Sequence, residues 1–432
     1  MAWPRCWPSS ATPRASRPEV AGAPGLAVPS PLREPGYRVL LGYRLCAILS
    51  YQIVAVTVGW HVYELTRNTF ALALVGLAEV LPFIGMALFA GYLVDHLPKR
   101  RLGATACAGL ATTALLLTLI STGHLAPGQT WPIYAAIVLT GLVRSFLTPV
   151  YTALFAQVLR REQFARGASI GSIAFQTALV CGPALGGVMV GWAGKTAAYA
   201  LAAVLALVAG AVLLSLRVAE PRAEGPRAPV FTSIGDGLRF VFNNQIMLAA
   251  QALDLFAVLF GGAISLAPAF IAEILHYGPE GLGILRGAPA LGAVAVGIVL
   301  ARRPPGRHAG RLLLWAVAGF GVCIIGFGLS QHFWLSALFL LLSGICDGVS
   351  VVMRTTIMQL VTPDGMRGRV ASINGIFIGS SNELGAFYAG SMARLLGLVP
   401  AVVLGGFVTL GVVATTAVKA PNLRRLDLKD LQ

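Results

Sequence analysis

Long apolar runs, each near the length needed to cross a bilayer, recur about every 30 residues from position 38 almost to the end of this chain. No other feature narrows the possible folds so far. A transmembrane helix needs roughly 20 apolar residues, so 432 residues with short connections hold about twelve crossings and leave no room for a large soluble domain. Composition agrees: 56% of residues are hydrophobic, 11% are charged and mean hydropathy is +0.77, more apolar surface than one water-soluble core can hide.

The runs place spans at 38–63, 70–94, 102–121, 131–156, 168–192, 196–216, 246–273, 281–301, 311–330, 333–357, 370–393 and 399–418. The longest polar break, 217–240, contains an Ala-Glu-Pro-Arg-Ala-Glu-Gly-Pro-Arg run that cannot be helical throughout, so it reads as a flexible bridge followed by an interfacial helix at 232–243. Shifting the chain against itself by about 200 residues exposes a repeat. Gly76-Leu-Ala-Glu79-Val-Leu-Pro82 matches Gly283-Ile-Leu-Arg286-Gly-Ala-Pro289, and Gln157, Ala168, Ser169, Gly182 and Gly187 match Gln359, Ala371, Ser372, Gly385 and Gly390. Matching spans run the same way, so the expected fold is an all-α integral membrane protein of two parallel-related six-helix bundles. The divisions are 1–36 disordered cytoplasmic tail, 37–217 first bundle, 218–240 central cytoplasmic loop, 241–420 second bundle and 421–432 cytoplasmic tail. Residues 1–36, rich in Pro, Ala, Ser and Arg, read as such a tail or as the product of a mis-set start codon rather than as a cleaved signal.

A formal charge of +15 in a soluble protein would suggest nucleic acid, but here the cations alternate by side. Groups such as Lys99–Arg101, Arg160–Arg161 and Arg424–Arg425 fall in one set of loops, whereas the other set holds only Arg67, Lys195 and Arg394. The positive-inside rule then puts both termini in the cytoplasm, with the plasma membrane as location and anionic headgroups as counterions. The six cysteines lack paired spacing and the six histidines are scattered, so no disulfide or metal framework is expected. Gly194-Lys195-Thr196 ends like a nucleotide-binding loop, but Met189 stands where the first glycine belongs and no strand precedes it. Nothing assembles a nucleophile, base and oxyanion site, so the chain is not read as an enzyme.

Gly91-Tyr-Leu93-Val-Asp95-His-Leu-Pro98-Lys99-Arg100-Arg101 resembles the G-x-L-x-D-x-x-G-R-K signature of the major facilitator superfamily. The resemblance implies that Gly91, Asp95, Lys99, Arg100 and Arg101 form a latch to the start of the eleventh span, around residues 371–373, which releases during switching. Pro98 departs from the pattern, and the second-half copy at 297–303 lacks the aspartate, so the latch is expected to be asymmetric. Gly182-Pro183-Ala-Leu-Gly186-Gly187 resembles the core of the superfamily's antiporter signature; ordinary close packing of small residues is the other reading. The segments 59–66, 253–257 and 281–289 resemble the subgroup of enterobactin exporters and macrolide-efflux proteins, a resemblance running over nearly all of 37–420. It implies export of a siderophore, drug or comparable amphipathic molecule, driven by proton entry rather than by a bound cofactor.

A charge at the centre of a bilayer costs about 2.5 to 3.5 kcal/mol on insertion scales, so charged residues deep in spans face protein, water or one another. These are Glu79, Arg144, Asp254, Arg286, Asp347, Arg354 and Glu383. In the superfamily the first, fourth, seventh and tenth spans line the cavity, which favours Arg144, Asp254, Asp347 and Arg354 as pathway residues. One of Glu79, Asp254, Asp347 and Glu383 would bind the coupling proton, and Arg144 would hold an anionic substrate or modulate that carboxylate; internal ion pairing that only stabilises the bundle is the alternative. The expected partners are a small-molecule substrate, protons and lipid, without nucleic acid, for a chain acting as a monomer. Uptake or facilitated diffusion, and a membrane sensor or scaffold without turnover, remain alternatives to export.

Overall fold

The computed structural model describes residues 30–125, 128–160, 163–218, 239–278, 280–302, 308–362 and 367–427. Helices α1 (Pro35–Thr66), α2 (Thr69–His96), α3 (Lys99–Ser121), α4 (Trp131–Val158) and α5 (Phe164–Leu214) make up the first half. The second half comprises α6 (Gln245–Gly261), α7 (Ala267–Glu273), α8 (Glu280–Arg302), α9 (Ala309–Leu329), α10 (Phe333–Val361), α11 (Arg367–Leu396), α12 (Leu398–Lys419) and the short α13 (Pro421–Arg424). In hydrocarbon only internally bonded backbone is tolerated, and helices of 23 to 32 residues such as α1 to α4 are long enough to traverse it.

Ten helical stretches among the described residues are long and apolar enough to cross a membrane. One of them, Arg166–Leu214, carries two crossings, because Gly194 breaks α5 at φ 81°, a left-handed conformation that a side chain resists. Helix α11 lies outside those ten, yet its 30 residues also reach across. It carries Asn374, Ser380, Ser381, Asn382 and Glu383, and packs against α2, α6 and α12, so protein contacts offset a polarity that lipid would not. Twelve crossings result, at the positions expected from the apolar runs. Helix starts have local causes: the side chains of Asn68 and Asn244 accept hydrogen bonds from the amides of Phe70 and Met247 at 2.9 and 3.0 Å.

Three expectations need adjustment. The seventh span, expected as one helix over 246–273, is broken at Gly262, continues through a 3₁₀ turn at Ala263–Leu266 and resumes as α7. Pro268 in the first turn of α7 has no N–H with which to extend the preceding ladder. Of the interfacial helix at 232–243, residues 239–243 are helical with a single-residue break at 244 before α6, and 232–238 lie outside the described residues. Residues from 421 do not start as a free tail: Leu423 is 1% exposed and packs with Leu313 and Met353.

An even number of crossings puts Pro35 and Lys419 on one face, here called the terminus face, with Gly194 on the other. Near the Gly194 face one hydrophobic core joins both halves, with Val58, Leu72 and Leu117 of the first beside Phe270, Leu282 and Phe327 of the second. Toward the terminus face the cores are separate: Leu40, Cys107, Leu154 and Leu213 belong to the first half alone, and Leu253, Leu313, Met353 and Leu423 to the second. Among the described residues, the halves therefore share a core at one end and keep separate cores at the other.

Two helix pairs make the junction, α2 with α11 and α5 with α8. They are the pairs that the repeat relates. A Cβ on Gly187 would stand 2.2 Å from the backbone nitrogen of Gly283, so α5 and α8 touch backbone to backbone at a spot where only glycine fits. Helices α2 and α11 run antiparallel, with Ala73 beside Gly390, Gly76 beside Glu383 and Ala386, and Phe83 beside Gly379.

Candidate transport site

Near the middle of α4, Arg144 turns one guanidinium nitrogen, Nη1, toward two carboxylates. It donates to Glu79 of α2 and, at 3.0 Å, to Glu383 of α11. The phenol of Tyr51 on α1 donates to the same Glu79 oxygen at 2.8 Å, and the guanidinium lies 4.6 Å from the Tyr51 ring centre and 5.1 Å from that of Phe83. All three charged side chains are largely buried, Glu79 most of all. The Arg144–Glu79 bond stays within the first half, whereas Arg144–Glu383 crosses between halves. Arg286 of α8 lies within electrostatic reach of Glu383, Tyr51 and Glu79. Its Nη2 rests 3.4 Å from where a Cβ on Gly59 would be, so glycine in α1 makes room for it. The segments beginning at 59 and 281, singled out by resemblance, thus meet in space.

A second charged group lies apart, inside the second half. Arg354 of α10 and Asp254 of α6 pair at 2.6 Å, at 6% and 8% exposure. Asp254 falls on the face of α6 that carries Ala250 and Ala257, both in that half's own core, which is why the pair is buried there. Asp347 shares a small pocket with Asp254, lined also by Val317, Phe320, Cys346 and Ser350. Of the four residues favoured from the first, fourth, seventh and tenth spans, then, Arg144 joins residues of the second and eleventh, while Asp254, Asp347 and Arg354 cluster with one another. Arg144 was expected to hold an anionic substrate or to modulate a proton-binding carboxylate; in this conformation two carboxylates, Glu79 and Glu383, occupy it.

The packing motif has distinct partners along α5. A Cβ on Gly182 would meet the side chain of Gln52, one on Gly186 the backbone of Ile53, both on α1, and Gly187 meets α8. Pro183 sits inside the helix between them. In the latch motif, a Cβ on Gly91 would meet no described residue within 4 Å. The side chains of Asp95 and of residues 371–373 lie outside the described set, while Arg100 donates to the Leu216 carbonyl at 2.7 Å.

The chain matches the family described as transmembrane secretion effector over residues 27–432. It belongs to that family, within the major facilitator superfamily. It is accordingly a multi-pass membrane protein and a secondary transporter of a small molecule. Among curated relatives, an enterobactin exporter of Citrobacter koseri is 26% identical over 383 residues, covering 86% of this chain and 89% of that one. An enterobactin exporter of Shigella boydii serotype 4 is 27% identical over 386 residues with the same coverage. Among solved structures, a POT family transporter in complex with 5-aminolevulinic acid superposes with a TM-score of 0.71 at 10% identity, over 90% of this chain and 96% of that one. The human organic anion transporter MFSD10 superposes at 0.64 and 16% identity, over 90% and 100% of the two chains. At these identities the superpositions speak for the family's fold alone.

Sequence reasoning did not single out Tyr51, which orients Glu79, or the contact in which the Tyr63 hydroxyl donates to Glu273 across the halves near the Gly194 face. A phenol inside an otherwise apolar run was the one available signal for Tyr51.

Proposed function

We propose that this protein is a proton-coupled exporter of a small amphipathic molecule of siderophore type, working by alternating access from a cytoplasmic terminus face. The observation that carries the reading is the Arg144–Glu383 ion pair, 3.0 Å long, which joins the two halves within the span of the membrane. Adding a proton to Glu383 removes its charge and with it most of the attraction across the junction, so protonation and separation of the halves become one event. Glu79 keeps Arg144 in place meanwhile, because its bond lies within one half. A proton gradient, not a cofactor, is then the energy source. With the terminus face in the cytoplasm, as the loop charges favour, the parted ends of the halves receive substrate from inside.

The names of the enterobactin exporters support a siderophore as cargo, and Asp95 with Gly91, Lys99, Arg100 and Arg101 would latch the terminus face once it closes. Asp254, Asp347 and Arg354 act in this scheme as a rigid charged core of the second half. The test is efflux of enterobactin from proteoliposomes of phosphatidylethanolamine and phosphatidylglycerol under an imposed pH difference. Efflux that accelerates with the gradient and is accompanied by proton entry supports export by antiport. Flux indifferent to the gradient would make the protein a facilitator, and binding without flux would make it a sensor.

A further inference from the structure

We infer that Arg286, not Arg144, is the residue that recognises the transported molecule, and that this molecule presents an anionic oxygen group such as a carboxylate or phenolate. The inference rests on the reading of this chain as a transporter and adds the chemistry of what it carries. Four charged side chains gather at the junction of the halves, and their pairing is unequal. Arg144 is neutralised by Glu79 and Glu383 together. Arg286 forms no ion pair among the described residues, and its buried Nε has no hydrogen-bond partner. Leaving a guanidinium donor unpaired in such a place is costly unless something arrives to fill it.

The position also suits a ligand. Arg286 stands on α8 of the second half with its Nη2 against Gly59 of α1, in the first half, where the two halves meet. A molecule bound there touches both halves, so it senses their relative motion. In the repeat Arg286 occupies the place that Glu79 holds in the first half, so one register carries opposite charges on the two sides. The negative member is ion-paired to Arg144; the positive one feels Glu383 and Glu79 at a distance but forms no ion pair among the described residues. A planar guanidinium whose buried Nε–H lacks a partner matches an oxyanion in charge and shape better than it matches any neutral group.

The test reads binding without a gradient, on the full chain in phosphatidylcholine nanodiscs, with dansylglycine and its uncharged amide as fluorescent probes. The wild type should bind the acid about tenfold more tightly than the amide, as expected for one hydrogen bond to a charged group. Arg286→Gln should erase that preference, and Arg286→Lys should keep part of it. Each variant is first checked for a monodisperse elution profile; should Arg286→Gln fail it, Gly59→Leu, which crowds the guanidinium from α1, takes its place. Equal binding of acid and amide by the wild type, or an acid preference that survives Arg286→Gln, would overturn the assignment. Phosphatidylglycerol added to the nanodiscs separates the two sources of an anion: a preference abolished by it would mean that a lipid headgroup, not a solute, fills the site. Because no proton gradient is present, a chain that binds the acid selectively but moves no protons would sink the coupling scheme and leave this site standing.

Discussion

Arg144 and Glu383 are held 3.0 Å apart although they lie in different halves of the molecule, on α4 and α11. The same nitrogen of Arg144, which carries two hydrogens, also donates to Glu79, so one group makes a bond within one half and a bond between the two. Such an arrangement lets a single proton alter the balance between staying together and coming apart.

Glu383→Gln should therefore abolish the effect of an imposed pH difference on efflux while leaving substrate binding within about threefold of wild type, since the amide keeps the shape but cannot carry the charge. Glu79→Gln should do more damage, because its amide oxygen still accepts from the Tyr51 phenol but no longer supplies the charge that holds Arg144 within the first half. Proteoliposome efflux with a pH-sensitive dye inside separates the two; pH-driven efflux that persists in Glu383→Gln would remove this carboxylate from the coupling step.

The buried Arg354–Asp254 pair makes a prediction about stability rather than transport. Replacing either residue by leucine leaves the other charge uncompensated and should cost about 3–5 kcal/mol, whereas replacing both should cost much less. Thermal unfolding of the purified variants, read as a double-mutant cycle, measures the coupling, and additive losses would show that the two charges do not depend on each other.

Near the Gly194 face the Tyr63 hydroxyl reaches Glu273 of the other half. Tyr63→Phe removes this tie at a cost of about 1–2 kcal/mol and should favour separation at that face. A cysteine in place of Leu72, which is 6% exposed in the shared core, would then react faster with a membrane-impermeant thiol reagent, measured in a background without the native cysteines. An unchanged labelling rate would mean that the tie does not hold the face closed.

Backbone contact between Gly187 and Gly283 leaves no volume for a side chain. Gly187→Val should push α5 from α8, cost about 1–3 kcal/mol in the closed junction and stall transport. Gly91→Ala, at a position with open space in this conformation, should leave stability unaltered and slow turnover only if that glycine packs closely when the terminus face closes. Comparing thermal midpoints with efflux rates distinguishes the two behaviours.

From the residues alone, the number and order of crossings and the repeat were legible, because hydropathy and helix length act locally and lipid enforces them. Four glycines of the repeat, Gly76, Gly187, Gly283 and Gly390, lie on the helix faces where the halves meet, whereas Gly182 and Gly385 pack within one half. What local rules could not decide was which buried charge faces which. Arg144 shares a span type with Asp254 in the superfamily pattern, yet it pairs with Glu79 and Glu383, and Asp254 turns inward to Arg354. Sequence spacing fixes the face of a residue on its own helix, but a salt bridge between helices depends on their rotation and separation, which only the packed bundle sets. The same holds for the lack of an ion pair at Arg286 among the described residues and for the single core shared at the Gly194 face. Both follow from contacts between helices distant in the chain.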